Sequence, residues 1–261
     1  VARKGSFTRA KNMKGISSVY NSHLGKTAFI LGAGPSLIDL DTNLIKNHVT
    51  ITVNSAILKM ADCDYWLTDD QDVESWDYFT REVRNSKSTK LLDFRRCNKI
   101  SKKLIGEVVL YKHQDWLDWY DRRRKKHDLS KAIFTRDISK PLVGTRTSVG
   151  TAVHVAWLMG CSKICLLGCD CGWRKDRRYF WQLDEWKGRV PSRSYPDPTT
   201  NTPQRILGTK NYTDFHCKEM IWFWDAFSLL LKKNNINVLN LTPDSRIKSL
   251  PIGNLGNVVK G

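Results

Sequence analysis

Five consecutive residues, Gly32-Ala33-Gly34-Pro35-Ser36, follow the apolar run Thr27–Leu31 and precede Leu37, where apolar and polar positions begin to mix. Glycines let a backbone come close to an anion, and the unpaired N–H groups of a helix start point at it, so a buried strand entering this turn would cradle phosphate. Pro35 presets φ for a first helical turn and Ser36 adds a hydroxyl. The stretch matches neither GxGxxG nor GxxxxGK[ST], so an ordinary strand-to-helix turn without a ligand is the competing account.

Other polar residues fall at comparable places. Asn54 follows the apolar run Val49–Val53, Asp69 and Asp70 follow Tyr65–Thr68, and Asp170 follows Lys163–Gly168. Ligands of open parallel sheets bind outside the carboxyl ends of the strands, and each of these residues would stand there. Asn54 and Asp170 would equally serve as caps of the next turn. Arg146-Thr147-Ser148 opens a helical pattern with a cation and two hydroxyls, which suits a second phosphate contact or a capped helix with a solvated arginine.

His216 lies between a basic stretch and an apolar helix expected from about Lys218. An imidazole at a helix start is kept neutral by the dipole and can accept a proton; a capping or surface histidine is the alternative. Cys161, Cys165, Cys169 and Cys171 lack the paired spacing of a structural zinc site and read as small buried hydrophobes, so no metal site is expected from them.

These residues need a scaffold that brings strand ends together. Strands are expected at Thr27–Leu31, Val49–Val53, Tyr65–Thr68, Lys90–Asp93, Val108–Tyr111, Lys163–Gly168 and Val238–Leu241. Helical patterns fall at Asp72–Arg84 and Lys99–Ile105, on the face Val149, Val153, Ala156, Trp157, Gly160, and from Met220 to Leu231. The alternation predicts an α/β fold, a Rossmann-like wound parallel sheet with helices on both faces and basic loop insertions. The expected organisation is a basic N-terminal arm over residues 1–26 and one catalytic domain over 27–261, with insertions at 112–146 and 171–210.

The chain has 261 residues and a net charge of +17, from 43 Lys and Arg against 26 Asp and Glu. The arm carries +6 and each insertion +5, leaving +1 for everything else. A neutral scaffold with three basic segments points to a polyanionic partner. Seven cysteines without a spaced framework, no signal-type segment and no apolar run of spanning length lead to the expectation of a cytoplasmic protein.

The motifs GAGPSL (Gly32–Leu37), VNSA (Val53–Ala56), LTDD (Leu67–Asp70), TSVGTAVHVAWLMGCSKICLLGCD (Thr147–Asp170), HCKEM (His216–Met220) and LTPDS (Leu241–Ser245) occur in this order. In them the chain resembles the bacterial sialyltransferases that use CMP-sialic acid, and the related 6-hydroxymethylpterin diphosphokinase-like and flagellin-glycosylation proteins. The resemblance implies nucleotide or donor contacts from Gly34, Pro35, Ser36, Asn54, Asp69, Thr147, Ser148 and Asp170; Gly32 of the same turn and Arg146 before the helix start are further donor-binding candidates from the residues themselves. It implies a catalytic role for His216. Tyr179 is the one tyrosine near the position where those enzymes steady the leaving phosphate, within a loop of different, basic sequence.

The leading expectation is a nucleotide-sugar-dependent glycosyltransferase. His216 would deprotonate the acceptor hydroxyl, Asp69 is the second catalytic candidate, and Arg146 with the helix start would stabilise the leaving nucleotide. The acceptor is expected to be a polyanion, foremost a hydroxyl-modified base in DNA, as in viral DNA glycosylation. Its backbone would be held by Arg122, Arg123, Arg124, Lys125, Lys126, Arg174, Lys175, Arg177 and Arg178. Trp116, Trp119, Tyr120, Trp173, Tyr179, Phe180 and Trp181 would stack on an extruded base or form a buried cluster under the loops. One alternative is a diphosphokinase on a pterin-like molecule, with Mg²⁺ held by Asp69, Asp70 and Asp170. Another is a Rossmann-like domain that only binds nucleic acid.

Overall fold

A computed structural model describes residues 13–70, 72–95, 100, 104–121, 126–192 and 210–260. Eight strands form one all-parallel sheet: β1 (Met13–Gly15), β2 (Thr27–Leu31), β3 (Val49–Val53), β4 (Tyr65–Thr68), β5 (Thr89–Asp93), β6 (Val108–Tyr111), β9 (Lys163–Leu167) and β10 (Val238–Asn240). The two remaining strands, β7 (Tyr120–Asp121) and β8 (Lys126–His127), pair antiparallel as a small hairpin. In the large sheet the order is β1-β6-β5-β4-β3-β2-β9-β10. The chain therefore winds outward from β2 to β6, then returns to lay β9 on the other side of β2. That reversal makes a crevice between the carboxyl ends of β2 and β9, where Leu31 pairs with Leu167.

The central strands are buried on both faces, which is why apolar and β-branched residues predominate along them. One face is covered by α1 (Ser148–Leu158) and α2 (Lys210–Lys233), with Val153, Ala156, Phe223 and Phe227 in the core. The other is covered mainly by short turns around Leu37, Ile57, Phe79 and Phe180, and by α3 (Leu255–Val259).

The helix expected over Asp72–Arg84 is instead a 3₁₀ turn at Val73–Ser75 and a single π turn at Phe79–Val83. Trp76 between them is extended, with its ring 6.1 Å from that of Trp181, so a tertiary contact interrupts the local pattern. The pattern at Lys99–Ile105 lies mostly outside the described residues. After the glycine turn, Pro35–Asp39 is a five-residue 3₁₀ turn ending at an extended Leu40. No α-helix start stands at that turn, contrary to the sequence reading.

Residues 13–26 belong to the folded body and are no free arm. Met13 to Gly15 pair with Val108 to Leu110, and the N–H groups of Asn21 and His23 donate to Leu158 and Met159. Within the first insertion, His154 of α1 accepts the Val143 N–H on Nδ1 at 3.0 Å and donates from Nε2 to the Thr135 carbonyl at 2.8 Å. Both bonds tie the insertion to the core.

The aromatics expected to meet a base are mostly interior. Trp119 is 1% exposed, with its indole N–H on the Gly144 carbonyl, and Phe180 is fully buried. Trp116 stacks on Tyr120, both buried, and Trp181 is buried with its N–H on the Ser55 hydroxyl. The buried-cluster account holds for these five, because large rings gain more from leaving water than from waiting for a ligand.

Candidate active site

A cleft of about 230 Å³ opens at the β2/β9 crevice. Its floor is the Gly32–Gly34 turn and the Gly168–Asp170 turn, its walls Asn54, Ser55, Thr147, Ser148 and α2, and its cover the loop bearing Arg178, Tyr179 and Trp181. Phe180 N–H donates to the Ala33 carbonyl at 3.2 Å, which seats this loop over the glycine turn.

The glycine turn is already partnered. Gly34 N–H donates to the Gly168 carbonyl at 2.8 Å. Ser36 donates its N–H to one oxygen of Asp170 at 3.0 Å and its hydroxyl to the other at 2.9 Å. A side chain on Gly34 would put its Cβ 2.0 Å from an Asp170 oxygen and 2.6 Å from the Gly168 carbonyl. Gly34 is therefore required by the approach of the β9 turn, where the sequence reading had it making room for phosphate. Burial pushes the Asp170 carboxyl above its ordinary range, and the Ser36 hydrogen bonds oppose that shift.

Asn54 lines the cleft with φ at +52°, in the left-handed region that asparagine tolerates better than most residues. Its side-chain oxygen accepts the Thr68 hydroxyl at 2.6 Å and its carbonyl accepts the Trp66 indole N–H at 2.9 Å. Thr147 caps α1 through Val149 N–H, and Ser148 beside it also borders the cleft.

The neighbouring aspartates part company. Asp70 borders the cleft. Asp69 accepts the Tyr111 hydroxyl at 2.6 Å and the Thr151 hydroxyl at 2.8 Å, so both oxygens clamp α1 to the ends of β4 and β6. The catalytic and donor-contact roles expected of Asp69 do not fit that placement.

Arg146 and His216 do come together, around a residue the sequence reading passed over. Arg146 donates from Nε at 3.0 Å and Nη2 at 2.9 Å to one oxygen of Glu219, which is 3% exposed. The same Nη2 is hydrogen-bonded to His216 Nδ1, and the guanidinium lies 5.5 Å above the Trp116 ring. Arg146 is thus held by Glu219 and Trp116, while its neighbour Thr147 faces the cleft. α2 begins at Lys210, so His216 sits well inside the helix and the dipole argument for its neutrality lapses. The signal for Glu219 was present: an acid three residues after His216, on the helix that carries the strongest apolar pattern.

The expected nucleic-acid contacts divide. Arg122, Arg123, Arg124 and Lys125 lie outside the described residues, and Lys126 is exposed on β8. Arg174 pairs with Asp39 and Lys175 with Glu185; Arg177 is exposed. Arg178 borders the cleft with its guanidinium 5.2 Å from the Tyr179 ring. Cys169 and Cys171 also border the cleft; burial pushes the Cys171 thiol up to about 12 and that of Cys169 well above its ordinary value, so both are inert thiols. Among the described residues no three His, Cys, Asp or Glu side chains converge as a metal site, and no helix is long and apolar enough to cross a membrane.

A wound parallel sheet with a polar cleft at its switch point is the architecture of Rossmann-like nucleotide-binding proteins. Within that class the chain belongs to the 6-hydroxymethylpterin diphosphokinase MptE-like family, whose model matches residues 6–176. The fold is similar to that of the MAf glycosyltransferase from Magnetospirillum magneticum AMB-1, at 16% identity and a TM-score of 0.53 over 95% of this chain. The chain spans 36% of that protein's length. A weaker similarity reaches the sialyltransferase CstII from Campylobacter jejuni, solved with cytidine-5'-monophosphate, at 15% identity and a TM-score of 0.43 over 89% of this chain and 86% of that one. No curated protein matches the chain.

Proposed function

We propose that the chain is a nucleotide-dependent transferase, with a nucleotide-sugar donor whose nucleotide occupies the β2/β9 cleft. The convergence of Asn54, Thr147, Ser148 and Asp170 with the glycine turn carries this reading, because three separate strand ends and a helix start supply one crevice. The start of α1 and Arg178 would meet the charge that grows on the departing phosphate. Gly32, Pro35 and Ser36 support the floor, with Ser36 acting through Asp170. Tyr179 bears on the donor from the covering loop, and His216 stands beside Cys217, which borders the cleft.

The acceptor is a polyanion in this reading. The support is the confinement of the positive charge to residues 1–26, 112–146 and 171–210. DNA remains the acceptor to test first, through its phosphates, since five of the seven aromatics assigned to an extruded base are interior.

The 6-hydroxymethylpterin diphosphokinase MptE-like family favours a second reading, diphosphoryl transfer to a pterin-like substrate. Asp70 and Asp170 border the same cleft and would be the residues to hold Mg²⁺, which would supply positive charge against the phosphates. Thermal shift with CMP, UDP, GDP, ATP and their sugars, with and without Mg²⁺, separates the two. Stabilisation by a nucleotide sugar without metal supports the glycosyl reading. Stabilisation by ATP only with Mg²⁺ supports the second, and no response to any nucleotide would defeat both.

A further inference from the structure

Asp93 ends β5 and His113 stands just past the end of β6, at the carboxyl edge of the sheet. A parallel bridge to Leu142 of the first insertion pins the His113 backbone. Leu142 N–H donates to the Lys112 carbonyl and Gln114 N–H to that of Leu142, each at 2.8 Å. The His113 side chain is 4% exposed. Its Nδ1, sealed from solvent and without another partner, lies against Oδ2 of the fully buried Asp93 carboxylate. Burial pushes the Asp93 carboxyl up, yet the His113 contact and the Arg95 N–H, 2.7 Å from Oδ1, leave it below its ordinary value. An ionised carboxylate only accepts, so the neutral imidazole carries its proton on Nδ1 and presents a lone pair on Nε2. Nε2 has no hydrogen-bond partner among the described residues and stays open, where His113 borders a cavity of about 1010 Å³.

No residue borders both this cavity and the β2/β9 cleft. β6 lies four strands from β2, roughly 19 Å at ordinary strand spacing, too far for His113 to act on a group reacting at the cleft floor. The cavity therefore has its own ligand. A lone pair binds only a group that brings a proton, a hydroxyl or an N–H. Arg95, Lys112 and Lys140 line the walls against Asp115 and Asp118, and Asp115 accepts the Leu117 N–H at 3.0 Å. Three cations disfavour an amine and favour an anionic group on the same molecule. Phe94 and Ile138, 43% and 40% exposed, add apolar surface that the C–H face of a sugar ring can cover. We propose that this cavity is a second ligand site, for a sugar phosphate, in which His113, held by Asp93, accepts a hydrogen bond from a sugar hydroxyl while Arg95, Lys112 and Lys140 hold the phosphate. The site does not rest on the transferase reading.

Nitrogen-15 NMR of the imidazoles in the full chain, at about pH 8, tests the site by titration with glucose-6-phosphate, ribose-5-phosphate, glucose and inorganic phosphate. Before any ligand is added, His113 should carry its proton on Nδ1. That is the opposite of His154, whose Nδ1 accepts a backbone N–H. A proton on Nε2, or on both nitrogens, would overturn the proposal. A sugar phosphate should shift the His113 Nε2 signal and leave His154 unmoved, with glucose and inorganic phosphate each about tenfold weaker or more. No response to either sugar phosphate would overturn the proposal, and so would equally tight binding of glucose or of inorganic phosphate. Lys112→Ala combined with Lys140→Ala, both exposed, should weaken sugar-phosphate binding about tenfold at an unchanged urea midpoint. Unchanged affinity in that variant would overturn the proposal. Asp93→Asn should move His113 toward a tautomer mixture and weaken binding, a change that a purely packing role would not produce. If loss of the buried carboxylate unfolds that variant, the lysine pair still decides. Nucleotide affinity at the β2/β9 cleft should be the same in wild type and the lysine variant, so either site can fail without the other.

Discussion

Asp170 accepts both the backbone N–H and the hydroxyl of Ser36, a pairing that closes the floor of the cleft with a carboxylate where the sequence suggested phosphate. The raised Asp170 carboxyl is most stable protonated, so its contribution is present at low pH and lost as pH rises through its folded pKa. Ser36→Ala removes a hydrogen bond that favours the ionised form. It should cost about 1 kcal/mol in urea unfolding at pH 7 and less near pH 4. A loss that does not depend on pH would show that the pairing is not what the serine provides.

Gly34→Ala should destabilise the fold by about 1–3 kcal/mol, because its Cβ meets the Asp170 carboxylate and the Gly168 carbonyl and the β9 turn must move. The φ of Gly34 is −66°, so contact and not backbone strain is the cause. Chemical denaturation measures it. A variant of wild-type stability that has lost nucleotide affinity would instead return Gly34 to the role of making room for phosphate.

His154 is fully buried, and desolvation lowers its pKa to about 4 from the ordinary 6.5. The unfolded chain binds the proton more tightly, so the stabilisation is complete above about pH 6.5 and falls away between pH 6.5 and 4. The loss should approach about 3 kcal/mol. Urea midpoints across this range should fall in the wild type. His154→Gln, which does not titrate, should start lower and show a flatter curve.

Polyanion binding should depend steeply on salt. Duplex DNA titrated by anisotropy across a salt series should give a log–log slope of roughly −4 or steeper if several Lys and Arg contact phosphate. Charge reversal at Lys126 and Arg177, both exposed, should flatten that slope and leave nucleotide binding unchanged. No binding at low salt, together with transfer to a free saccharide, would remove the nucleic-acid acceptor and keep the transferase.

Much of the scaffold was legible because its determinants are local. β2, β3, β4 and β6 begin and end where their apolar runs do, since strands buried on both faces tolerate few polar residues along their length. The rule that ligands gather at carboxyl ends then named Gly32, Asn54 and Asp170 without coordinates, and all three border the cleft. Asp72–Arg84 was misread because its periodicity is helical while Trp76 is held extended against the ring of Trp181, which lies far away in the sequence.

Sequence alone, then, determined the sheet, its parallel winding and the end of it that carries polar residues, because burial and period are written in neighbouring positions. Tertiary structure decided which of those residues border the cleft. Asp69 and Asp70 are indistinguishable in sequence, yet Tyr111 and Thr151 bind one and leave the other at the cleft. Arg146 looked like a phosphate ligand until Glu219 claimed it. Hydrogen bonds between groups far apart in the chain are set by how the packed elements meet, and no local pattern encodes that meeting.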